Sequence, residues 1–115
     1  MAATYNFSID QGTTVSIQWA YRTAANAVID LTSYTARLQA RPTVSSAVTV
    51  MDCTTANGQL TVTGATGVVT LSLTATQSAA LDFNSAVYDL EIVSPAGVVT
   101  RLVQGTVTLS REVTR

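Results

Sequence analysis

Asp89 and Glu91 stand two residues apart, a spacing that on a strand puts both carboxylates on one face at roughly 7 Å. Such a pair is the working unit of glycoside hydrolysis, in which one acid protonates the leaving oxygen while the other attacks the sugar or activates water. Nothing else in the chain extends that chemistry. There is no histidine and no lysine, and there is one cysteine in 115 residues, whereas general bases and activated nucleophiles are drawn largely from those types. The sequence therefore reads as a structural or binding module with no catalytic residues, and Asp89 and Glu91 read as part of a solvated or ion-paired strand face.

The remaining candidates resolve the same way. Asp10, Asp30, Asp52 and Asp82 lie near turns or strand ends, where aspartate accepts local backbone hydrogen bonds. Their spacing is not that of a calcium loop, so neither a metal nor a cofactor is expected. Cys53 has no partner for an internal disulfide and reads as a small buried apolar side chain. The run Gly64-Ala65-Thr66-Gly67 has the glycines of a phosphate cradle without its lysine or its helix, and is read as a turn. Tyr5, Phe7, Trp19, Tyr21 and Tyr34 share an inward parity, which assigns them to the core rather than to stacking on bases or sugars. Arg37 and Arg41 point outward from one strand at roughly 13 Å from each other. Their guanidinium forks suit carboxylates or carbonyls of a partner. With Asp89, Glu91 and Arg101 they form the candidate protein interface.

Composition narrows the partners. Six arginines against seven acids leave a net charge of -1 with no basic block, which argues against nucleic acid. Charged residues are 11% of the chain, against about 25% in typical domains, so part of the surface is expected to be covered by neighbouring subunits in a homo-oligomeric assembly. No apolar run approaches the roughly 20 residues of a membrane span, and the first residues lack the pattern of a secretory leader. Synthesis in the cytoplasm, no membrane partner, and one domain over residues 1–115 are the expectations.

Alternation then supplies the elements. Val15, Ile17, Trp19 and Tyr21 alternate with Thr14, Ser16, Gln18 and Ala20, the period of a half-buried strand. A shorter strand over 5–9 precedes it, and 22–27 reads as a loop. Tyr34 to Arg41 alternates again up to Pro42. Strands over 47–53 and 59–63 flank Asn57-Gly58, a hairpin signal, and 68–73 forms another strand. Thr74 and Gln77 fit a capping box for a short helix near 75–81. Strands over 86–93 and 98–110 close the chain. About seven or eight strands with regular turns predict an antiparallel, Ig-like β-sandwich. In the last hairpin, Ser94-Pro95-Ala96-Gly97 predicts a turn with Gly97 left-handed, Ser94 opposite Val98, Glu91 opposite Arg101 and Leu90 opposite Leu102. Because Val107 and Leu109 have the wrong parity for that register, a bulge is expected at Gly105.

Three stretches carry a resemblance: Phe7-Ser8-Ile9-Asp10-Gln11-Gly12-Thr13, the run from Ile29 through Arg41, and Tyr88-Asp89-Leu90-Glu91 with Gly105-Thr106-Val107. Together they resemble small virion proteins of tailed bacteriophages, in particular the N-terminal β-domain of phage baseplate upper proteins. The resemblance implies docking onto a tail or baseplate core, with other virion proteins as partners and the virion as the location. Baseplate upper proteins continue into long C-terminal extensions, whereas this sequence stops soon after its last strand, which favours an adaptor over a host-recognition role. A head decoration protein that staples capsomers is the alternative within this class. A carbohydrate-binding module, which needs at least two outward aromatic rings, is the alternative of another class.

Overall fold

The computed structural model describes residues 3–22, 25 and 27–114. Its strands are β1 (Ala3–Thr4), β2 (Phe7–Asp10), β3 (Val15–Ala20), β4 (Thr35–Arg41), β5 (Met51–Thr54), β6 (Leu60–Thr63), β7 (Val68–Leu73), β8 (Ser85–Val93) and β9 (Val99–Ser110), with a short helix α1 (Ala75–Ala79) after β7. They form two sheets. The larger runs β1-β9-β8-β4-β5, with β2 also on β9, and the smaller runs β3-β7-β6. This is the expected all-β, Ig-like sandwich, antiparallel except that β1 and β2 lie parallel to β9.

The alternation that marks each strand also fills the space between the sheets. Ile9, Leu38, Leu90, Ile92 and Val107 from the larger sheet meet Leu60, Val69 and Leu71 from the smaller, all essentially without solvent exposure. Each such side chain contributes about 1.5–3 kcal/mol by leaving water. The capping box is present, with the Thr74 hydroxyl accepting from the Gln77 amide and the Gln77 side chain accepting from the Thr74 amide. It starts α1 so that the buried Ser78 hydroxyl can donate to the Thr13 carbonyl at 2.6 Å. Gln11 braces the same end: its side chain donates to Leu81 and accepts from the Glu112 amide.

Three expectations need correction, and a fourth falls partly outside the described residues. The strand expected over 5–9 is two strands broken at Tyr5 and Asn6, and Tyr5 is 46% exposed rather than inward. The Asn57-Gly58 turn does not join a hairpin, because β5 pairs with β4 and β6 with β7 in the other sheet. Asn57 instead bonds back along β5, accepting from the Thr54 amide and donating to the Asp52 carbonyl. Gly97 is left-handed at φ +87° and the Ser94 amide donates to Val98 as expected, and Glu91 faces Arg101, but Leu90 faces Val103. The extra residue is Leu102, not Gly105. Leu102 and Val103 are both buried, and turning two successive apolar side chains inward is what the bulge accomplishes. The loop expected over 22–27 includes Thr23, Ala24 and Asn26, which lie outside the described residues; Arg22 bridges to Val28.

Gly105 serves a different purpose. A Cβ there would collide with the Tyr5 carbonyl and the Asn6 side chain. In its absence the Tyr5 amide donates to the Gln104 carbonyl, the Asn6 side chain accepts from Thr106, and the Tyr88 hydroxyl donates to the Tyr5 carbonyl at 2.5 Å. Gly105→Ala is expected to destabilise the fold by about 1–3 kcal/mol through overpacking, and Tyr88→Phe by about 0.5–1.5 kcal/mol through the lost hydrogen bond. Urea denaturation of the two variants checks both values.

Cys53 is 1% exposed, and burial, with a smaller contribution from Asp52, pushes its thiol up to about 12. The folded thiol stays protonated where the unfolded one, near about 8.5, ionises. Its contribution to stability is therefore complete below that value and is lost as pH rises toward 12. Thiol alkylation at pH 8 is expected to be negligible in the native protein and complete in urea, and Cys53→Ser is expected to flatten the alkaline decline of the unfolding free energy.

Candidate functional site

The outward rows of β4, β8 and β9 make one polar face. Arg37, Glu91 and Arg101 lie in one row across the three strands, and Gln39, Asp89 and Gln104 in the next. Arg41, Val87 and Thr106 follow, with Asp52 and Thr54 added by β5. The antiparallel register brings residues 37, 91 and 101 together although they are far apart in the chain, because opposed residues in such a ladder project to the same side.

All five expected interface residues stand on this face. Arg37 Nε meets Glu91 Oε1 at 2.8 Å, and Arg101 Nε meets Asp89 Oδ2 at 3.5 Å. These pairs are open to water and contribute about 0.2–1 kcal/mol each. Arg101 also donates to the Gln104 side chain at 3.3 Å. Arg41 is committed differently: its two terminal nitrogens donate to the Ser46 carbonyl and the Gln39 side chain, each at 3.0 Å. It holds the β4–β5 loop against the face, so its fork is occupied within the chain. Asp89 and Glu91 share the face, as their spacing requires, but each is engaged by an arginine.

A depression of 590 Å³ occupies the middle of the face, lined among others by Asn6, Gln39, Arg41, Asp89, Gln104 and Thr106, and a smaller one of 240 Å³ is lined by Arg37, Gln39, Asp89 and Glu91. Tyr88 lines the larger depression while its ring packs inward on Phe7, with centroids 4.9 Å apart. Burial, reinforced by Tyr5, drives its phenol well above the ordinary value. Asn6, Gln39, Gln104 and Thr106 were not singled out in the sequence. Alternation puts Asn6, Gln39 and Thr106 outward, whereas a bulge at Gly105 would turn Gln104 inward with Leu102; the bulge at Leu102 turns it outward, and the strand order brings all four to the same face.

Away from this face, Asp30 accepts from the Thr32 hydroxyl and amide, which together lower its pKa; this is the local turn bonding expected of it. Asp82 pairs with Arg111 at 3.0 Å. Among the described residues no group of acids or cysteine is placed to hold a metal ion, and no helix is long and apolar enough to cross a membrane. Among the described residues the well-exposed large apolar side chains are Tyr5, Val28, Val44, Val48, Val98, Val99 and Val113, of which Tyr5 alone is aromatic.

No protein-family model matches this chain, and no curated protein matches it. Among solved structures it is similar to a crystal structure of a chicken TCR, with a TM-score of 0.57 and 12% identity over 98% of this chain and 55% of that one. The chain thus spans about half the length of that relative, and at this identity the likeness is one of fold: the Ig-like β-sandwich.

Proposed function

We propose that this chain is a non-enzymatic structural subunit of a tailed-phage virion, an adaptor in the tail, baseplate or fibre-attachment apparatus that docks through the outer face of β4, β8 and β9. The observation that carries the reading is the gathering of Arg37, Arg41, Asp52, Asp89, Glu91 and Arg101, six of the thirteen charged residues, on the outer face of one sheet. Pairs this exposed contribute little to folding, so they exchange cheaply for a neighbour's carboxylates and carbonyls. Contacts of that size become lasting attachment when repeated around a symmetric particle, where each successive contact forms at high effective concentration. The resemblance of 29–41 and 88–91 to baseplate upper proteins supports a tail position. A head decoration role would use the same face on a capsomer junction.

The test is incorporation. Arg37→Ala combined with Arg101→Ala is expected to leave folding nearly intact, with a loss of under about 1 kcal/mol per pair, while occupancy in purified particles falls severalfold. Arg41 is left in place because it holds its own loop. Unchanged occupancy of the double variant would remove this face from the interface. Absence of the unmodified protein from purified virions, measured by quantitative mass spectrometry, would overturn the virion reading itself.

A further inference from the structure

A β-sandwich with open sheets has four edges, and three of those here are short or blocked. The edge of β5 is four residues long and contains Asp52; its outward carbonyl and amide, at Asp52 and Thr54, are already bonded by the Asn57 side chain. The edge of β6 is also four residues. The β1–β2 edge is interrupted at Tyr5 and Asn6 and ends in Asp10. Charge, shortness and interruption are the devices by which natural proteins keep sheet edges from pairing.

The edge of β3 has none of them. Val15–Ala20 is six residues long, regular, and without charge or proline. The Tyr21 amide donates to Gly67 at 2.7 Å and the Thr13 carbonyl accepts from Ser78 on α1, so odd-numbered residues turn their backbone groups toward β7. By alternation Ser16, Gln18 and Ala20 turn theirs away, and on that side β3 pairs with no strand among the described residues. Beside this edge sits the half-exposed ring of Tyr5, perpendicular to Trp19 with centroids 6.2 Å apart.

We propose that β3 is where two copies of this chain pair, antiparallel about a two-fold axis through Gln18, joining their smaller sheets into one. Parity selects this kind of register, because a slip of one residue would set core-facing side chains opposite solvent-facing ones. Centred on Gln18, Ser16 faces Ala20 of the second copy and Ile17 faces its Trp19, with about six new backbone hydrogen bonds. The absence of charge argues for a second copy over a foreign strand. On the two-fold axis the one residue that meets its own copy is Gln18, where a charge would repel itself and a neutral amide can both donate to and accept from its symmetry mate. The inference does not depend on the virion reading, since it concerns the purified chain alone.

Sedimentation from micromolar to near-millimolar protein is expected to show a reversible monomer–dimer equilibrium. Gln18→Pro removes an amide that makes no bond within the protomer, at a place where proline is tolerated. It is expected to keep the native circular dichroism spectrum and to weaken dimerisation by about 10- to 100-fold. Gln18→Cys is expected to form an intermolecular disulfide on mild oxidation, since hydrogen-bonded opposed residues lie at bridging distance, whereas Thr61→Cys on the far strand of the same sheet is not. A monomer throughout the concentration range would overturn the proposal. So would a dimer indifferent to Gln18→Pro, or cross-linking at both cysteine positions alike. Protection of the Gln18 amide from exchange only when other virion proteins are added would overturn self-pairing in favour of a foreign strand.

Discussion

Strand β9 has to satisfy two ladders at once. On one edge it follows β8, with a register fixed by the Pro95–Gly97 turn; on the other it carries β1 and β2 with a constant offset of 100 residues, Ala3 on Val103 through Asp10 on Ser110. The turn sets the parity of the first half, and the buried Val107 and Leu109 set the parity of the second. The two disagree by one residue, and the bulge at Leu102 reconciles them. Without it, Val107 and Leu109 would face water and the β1–β2 segment would lose the inward neighbours of Phe7 and Ile9. The absence of a side chain at Gly105 then allows the Tyr5 carbonyl to come within reach of Tyr88.

The same arrangement sorts the polar groups. Because β4, β8 and β9 are antiparallel neighbours, their outward residues fall into rows, and oppositely charged residues meet across strands at 37 and 91 and diagonally at 89 and 101. The smaller sheet is a contrast: its outward residues Ser16, Gln18, Thr61, Thr63, Thr70 and Ser72 carry no charge. One face of the sandwich is therefore suited to ionic contacts and the other to hydroxyl and backbone contacts. This division follows from which residues share a parity, not from any local motif.

Much of the fold was legible in the sequence because the information was local. The alternation of 14–21 and 34–41, the Thr74–Gln77 box and the Ser94–Gly97 turn each act within a few residues, and each stands within a residue of where the spacing put it. What escaped was contextual. Asn57-Gly58 has hairpin chemistry, yet the chain crosses between sheets there, because where β5 and β6 pair is decided by β4 and β7. The bulge left a trace in the adjacent apolar residues Leu102 and Val103, set between Arg101 and Gln104, but the glycine nearby was the more conspicuous mark. For the candidate face, parity exposed Arg37, Arg41, Asp89, Glu91 and Arg101, while the engagement of Arg41 with Ser46 depends on how the β4–β5 loop folds back.

The parallel seating of β1 and β2 on β9 also determines how the molecule responds to force. The chain enters this ladder at Ala3 and leaves it past Ser110, so its two ends depart in opposite directions along the same pair of strands. Tension between them acts along the strands, in shear. The bonds of the β2–β9 ladder must then yield together instead of opening one after another as in a peeled hairpin. Six paired positions and the Asn6–Thr106 bond lie in that seam, and the Tyr88 hydroxyl of β8 braces it at the Tyr5 carbonyl, which makes it a mechanical clamp closing the sandwich against stretching.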